Sequence, residues 1–225
     1  MPVIGTQQSP IVIIESETWY TKVDDTFFIP GYSGTPLAGY LAEHNFIFTD
    51  FESIKVGSVD WTLRRIHFHN GTEHEIAGQP KCHFEVHLVH TIGTKPQEDP
   101  KLQTAKLVIG TLFKIKSKAP SRASFRALNK AVGKANWSAS GVMDAVKDMK
   151  INPLDFLPEQ KDWPYWFRYE GSLTTEPFSE DVSWFVYKNE AEIAKAEVDK
   201  LRGAAEQHVR GTCPLNRRFV LRSFP

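Results

Sequence analysis

Six of the chain's eight histidines fall between His67 and His90. Imidazole is the commonest biological metal ligand and titrates near neutral pH. In Ile66-His67-Phe68-His69, strand geometry puts His67 and His69 on one face and Phe68 on the other. In the segment 82–90, His83, Glu85, His87 and Val89 share a face. Two adjacent strands would bring His67, His69 and His87 together. Three converging neutral imidazoles make a zinc site whose fourth tetrahedral position is left for water. Glu85, two residues before His87, can accept the outer N–H of a ligand histidine. His83, His90 and His208 lack such support and read as ordinary polar or satisfied histidines.

Strands must position this set. β-branched and aromatic runs predict strands at 11–14, 46–48, 63–69, 82–90, 105–116, 182–187 and 219–222. Three helices are expected. Asn189–Arg202 carries Asn189 as a cap, Glu192 three residues later and Gly203 as a stop. Ser121–Val132 places Phe125, Leu128 and Val132 on one face. Val142–Lys150 ends before Pro153. No repeat or long linker divides the chain, so 1–225 reads as one domain.

Composition narrows the function. The 225 residues carry 27 basic and 27 acidic side chains, for zero formal net charge. Proteins that bind nucleic acid backbones usually show a basic surplus, so no nucleic-acid partner is expected. The apolar runs are far shorter than the roughly 20 residues of a helical membrane span, and no membrane partner is expected. The N-terminal residues lack a basic region followed by an apolar stretch, so no signal peptide is expected. Cys82 and Cys213 are the only cysteines, and both are expected to be unpaired.

Several motifs resemble α-class carbonic anhydrases. They are Gln8-Ser9-Pro10, His67-Phe68-His69, Gly71-Thr72-Glu73-His74 and Phe84-Glu85-Val86-His87-Leu88-Val89-His90. Gly171-Ser172-Leu173-Thr174-Thr175, Val182-Ser183-Trp184 and Pro214-Leu215-Asn216-Arg217 continue the series in the family's order. The resemblance implies an α+β, mostly β domain on a large, mostly antiparallel twisted sheet with short surface helices. It implies zinc (Zn2+) held by His67, His69 and His87, and hydration of the small molecule carbon dioxide to bicarbonate and a proton. Thr174 would accept a hydrogen bond from zinc-bound hydroxide and donate to Glu73. Val89, Val108, Leu173, Val182 and Trp184 match the carbon dioxide pocket, with Thr175 lining the same cavity. His44 would shuttle the proton. Side esterase activity would use the same nucleophile.

Three positions depart from the pattern. Arg65 stands where the family usually has a Gln that accepts from the first ligand, and arginine has no acceptor. Asn70 replaces a Trp, and Glu176 replaces a Pro. The alternative reading is a non-catalytic binding module on the same scaffold; three intact ligand positions argue against it. Phe178 stands where bacterial and secreted relatives place a bridging Cys. The loss of that bridge suits a cytoplasmic location, with a secreted or periplasmic one as the alternative.

Overall fold

Paired strands run through the chain from end to end. The computed structural model describes residues 5–22, 28, 30–93, 105–135, 137–138 and 141–225. In chain order the strands are β1 (Val12–Ile13), β2 (Trp19–Tyr20), β3 (Leu37–Glu43), β4 (Asn45–Phe48), β5 (Ser53–Val56), β6 (Val59–His69), β7 (Glu75–Ile76) and β8 (Phe84–Ile92). They continue as β9 (Lys106–Lys116), β10 (Trp137–Ser138), β11 (Gly141–Ile151), β12 (Trp166–Gly171), β13 (Val182–Tyr187), β14 (Ala191–Ala194) and β15 (Leu221–Arg222). Two α-helices, α1 (Ala123–Val132) and α2 (Lys195–Ala204), complete the described regular elements with three short 3-10 turns.

Among the described residues, thirteen strands form one sheet in the order β10-β11-β3-β4-β6-β8-β9-β13-β12-β15-β2, with β5 on β6 and β14 on β9. Most neighbours are antiparallel; β9 meets β13 and β14 in parallel, and β15 meets β2 in parallel. The expected sheet is therefore present, with a mixed right half.

The sheet has two apolar faces, and alternation along β8 shows why. Phe84, Val86 and Leu88 point into the larger core, where α1 contributes Phe125, Leu128 and Val132 and α2 contributes Val198 and Leu201. The intervening Glu85, His87 and Val89 point to the opposite face. There Val89 joins Val108, Val182 and Trp184 in a second cluster. A strand buried on both faces reads as an apolar run, so the polar Glu85 and His87 stand out within it.

Two expected helices are corrected. Val142–Lys150 is not helical but lies within β11, paired antiparallel to β3. Val142, Val146 and Met149 partner Glu43, Leu41 and Gly39 across two register shifts. Extra bulge residues on β11 turn a strand's spacing of two into spacings of four and three, which imitates a helix. The expected helix at Asn189–Arg202 begins only at Lys195, because 191–194 are taken into β14 against Phe113–Lys116. Asn189 therefore caps nothing; its side chain donates to Asp162. The expected helix at 121–132 is present as α1, and its start is held by Glu197 of α2, which accepts from Arg122 N and Ser121 Oγ.

Phe125 is fully buried against Phe113, Phe84 and Phe156. Phe125→Ala is expected to cost about 3–5 kcal/mol, read as a lower urea midpoint with an unchanged slope.

Candidate functional site

His67 and His69 lie on β6 and His87 on β8, with His67 opposite His87 and His69 opposite Glu85. Paired positions in an antiparallel ladder project to the same side, so the three rings gather on the second face. The His67 and His69 ring centroids are 4.4 Å apart, and those of His69 and His87 are 4.6 Å apart. His69 Nε2 and His87 Nδ1 approach to 3.1 Å.

Burial holds His67 and His69 well below the ordinary imidazole pKa, with neighbouring histidines adding to the effect. Both rings are therefore neutral, the form that binds metal. His67 Nδ1 donates to Asn45 Oδ1 at 2.9 Å. That leaves His67 Nε2 with its lone pair free, buried and without a hydrogen-bond partner. Asn45 sits on β4 directly opposite His67. It supplies the acceptor that Arg65 cannot, and it was missed because its partner lies on another strand.

Glu85 is fully buried and accepts four hydrogen bonds: from Glu73 N at 2.7 Å, His74 N at 3.0 Å, His74 Nδ1 at 2.7 Å and His87 Nε2 at 2.8 Å. Burial alone pushes its pKa up, but His74 and His87 overcome that and hold it well below the usual carboxylate range. Glu85 thus fixes His87 with Nδ1 turned toward His69, as expected. His74 was assigned no role from sequence. Its Nε2 meets the Tyr169 hydroxyl at 2.7 Å, and that hydroxyl reaches Ser9 Oγ at 2.9 Å. The signal for His74 was its place directly after Glu73.

Glu73 faces the cluster from the loop after β6. Its Oε2 is 3.3 Å from His69 Nε2 and has no other hydrogen-bond partner, while Oε1 accepts from Arg210 N. Burial, then the Glu85 charge, raises its pKa to about 8; a hydrogen bond from the Thr174 side chain opposes the rise. Thr174 is buried on the loop after β12. That loop is clasped to the N-terminal segment by Ser9 N donating to Ser172 Oγ and Ser172 N donating to Ser9 Oγ. Trp184 Nε1 and Arg210 also donate to its backbone, at Ser172 O and Leu173 O. Of the expected pocket residues, Val89, Val108, Val182 and Trp184 share one cluster, Leu173 packs against it, and Thr175 is partly exposed.

Two donor sets among the described residues are compact enough to hold a cation: His69, Glu73 and His87, and His74, Glu85 and His87. The second is already satisfied internally. His67 stands just outside the first, with Glu73 nearer the centre. His69 Nδ1 is buried without a partner. His44 is held at both ring nitrogens, donating from Nδ1 to Ala204 O at 3.0 Å and lying 3.3 Å by Nε2 from Glu206. Asn70, which replaces the Trp, accepts from Arg202 and donates to Gln207.

The profile described as eukaryotic-type carbonic anhydrase matches residues 3–224. The chain belongs to that family. It is 28% identical to a Nostoc carbonic anhydrase over 75% of this chain and 56% of that one. It is 26% identical to the Neisseria gonorrhoeae carbonic anhydrase over 96% and 77% of the two chains. The chain thus spans little more than half of some relatives' length. Among solved structures, an α-carbonic anhydrase from Thermovibrio ammonificans, in complex with the inhibitor sulfanilamide, superposes with a TM-score of 0.69 at 25% identity, covering 97% of this chain and 88% of that one. A dioscorin–ascorbate complex shares the fold, with a TM-score of 0.76 at 23% identity over 97% and 86% of the chains.

His90 lies outside this histidine cluster. It points into the larger core, with Nε2 2.6 Å from the Tyr32 hydroxyl and Nδ1 donating to Leu107 O. Burial lowers its pKa from 6.5 to about 4. Between those values the unfolded chain binds the extra proton, so stability falls as pH drops from about 6.5 to about 4. A gap of this size is worth roughly 3 kcal/mol. In His90→Asn the pH slope of unfolding free energy across that window is expected to shrink by up to one proton, measured by urea titrations at several pH values.

Proposed function

We propose that the protein catalyses the reversible hydration of carbon dioxide to bicarbonate and a proton, with zinc held by His67, His69 and His87. The observation that carries this is the orientation of the three rings. Asn45 and Glu85 hold the outer nitrogens of His67 and His87, His67 Nε2 is left buried and unpartnered, and His69 Nε2 and His87 Nδ1 point at one another. Three imidazoles on one face, two of them with tautomers set by Asn45 and Glu85, suit a catalytic zinc site. When bound, the metal supplies a water whose pKa falls to about 7.

The chain's own residues do the rest. Thr174 accepts a hydrogen bond from the attacking oxygen and donates its own hydroxyl hydrogen bond to Glu73, which aims a lone pair at the substrate. A nearby dication favours the ionised, accepting form of Glu73. Val89, Val108, Val182 and Trp184 give carbon dioxide a dry wall. His44, whose ring centroid lies 6.1 Å from that of His67, would carry the proton outward as the family resemblance implies, once its Nε2 leaves Glu206. The same nucleophile would cleave activated esters. Both cysteines are free, which suits a reducing, cytoplasmic compartment.

Thr174→Ala is expected to retain zinc while slowing hydration roughly 100-fold, the usual effect of losing one positioned hydrogen bond. Stopped-flow pH-indicator kinetics together with metal analysis check it; a wild-type rate at full zinc content contradicts the assignment. Asn45→Ala is expected to weaken zinc binding about 10–100-fold, read by chelator competition rather than by turnover. The double variant Arg65→Gln/Asn45→Ala should recover part of that loss by returning an acceptor to position 65.

A further inference from the structure

Arg65 occupies an unusual place for a cation. It lies on β6 two residues before His67, on the same face, opposite Val89 of β8 and Ile47 of β4. Its side chain is largely enclosed, and its Nε is buried with no hydrogen-bond partner. No carboxylate among the described residues forms an ion pair with it. Arg122, the other strongly enclosed arginine, shows the usual arrangement. It donates to three backbone carbonyls and feels the charges of Asp155, Glu159 and Glu197. Arg65 has no comparable set of acceptors among the described residues.

A guanidinium with one N–H buried and unpartnered is costly, and an anion that enters beside it offsets that cost. The cross-strand neighbour of Arg65, Val89, belongs to the apolar cluster proposed as the substrate wall. The uncharged substrate gains nothing from a cation there; an oxyanion does. The planar fork of arginine matches a planar three-oxygen anion by paired N–H donors.

We propose that Arg65 is an anion-binding residue at the rim of the histidine site, contacting bicarbonate and competing planar monovalent oxyanions. The proposal rests on the carbonic anhydrase reading for the identity of the physiological anion, but not for the existence of the site. Asn45 makes the arrangement workable. Because β4 provides the acceptor for His67, position 65 is released from that task and can carry a donor instead.

Calorimetric titration of the zinc-loaded protein with nitrate, at constant ionic strength, tests this. Arg65→Gln is expected to weaken nitrate binding about tenfold or more, the range for a hydrogen bond to a charged group. Arg65→Lys keeps the charge without the fork and should fall between. Circular dichroism melting and zinc content, measured alongside, identify a variant that has not folded, and Arg65→Lys then carries the comparison. Equal nitrate affinity in wild type and in a folded Arg65 variant overturns the proposal. Carbon dioxide hydration by the wild type is a separate readout. Its absence together with Arg65-dependent nitrate binding sinks the enzymatic reading and upholds the anion site.

Discussion

A single buried carboxylate organises the second face of the sheet. Glu85 carries a negative charge with no water around it, a state that survives only with a full set of donors. Those donors come from three places: the backbone of 73–74, the His74 ring and the His87 ring. The charge therefore fixes the path of the loop after β6, aims Glu73 at the cluster and sets the tautomer of His87. Through His74 it reaches Tyr169, and through Tyr169 the N-terminal Ser9. Substituting Glu85 would leave two histidine rings and two backbone N–H groups without this partner in a dry interior, so its effect extends well beyond one ring.

The site is built in two layers with different origins. The histidines stand on the middle of the sheet, where pairing on both sides leaves little freedom. Thr174 and Glu73 stand on loops, and loops need outside help to hold a position. The reciprocal Ser9–Ser172 pair, the Trp184 indole and the Arg210 guanidinium give that help. Rigid strands thus hold the metal-ligand candidates, and a network of long-range hydrogen bonds holds Thr174 and Glu73.

Legibility in the sequence followed the same division. Period-two alternation exposed His67, His69, Glu85 and His87, because a strand's face can be read from one stretch of chain. The family motifs picked out Glu73, Thr174 and the residues that gather in the second apolar cluster. Asn45 was not legible: it acts across a strand pair from 22 residues away, and nothing local marks it as an acceptor. β11 misled for a related reason, since its bulges are visible only against β3. The early part of α2 misled because a parallel strand partner, β9, outcompeted a plausible cap.

The span of these contacts bears on how the protein matures. β6 and β8 are close in the chain and can pair as soon as both have been synthesised. The remaining contacts are distant: Ser9 meets Ser172 across 163 residues, and Arg210 meets Glu73 across 137 and Ser9 across 201. Non-local contacts of this kind form late, after their loop entropy has been overcome. A nascent chain on the ribosome would therefore own its paired histidine strands well before the loop bearing Thr174 could be locked above them. Assembly of the histidine cluster and fixing of the loop that bears Thr174 are thus separable in time, and a chain truncated before residue 210 would retain the histidine strands without the Arg210 ties to Ser9, Glu73 and Leu173.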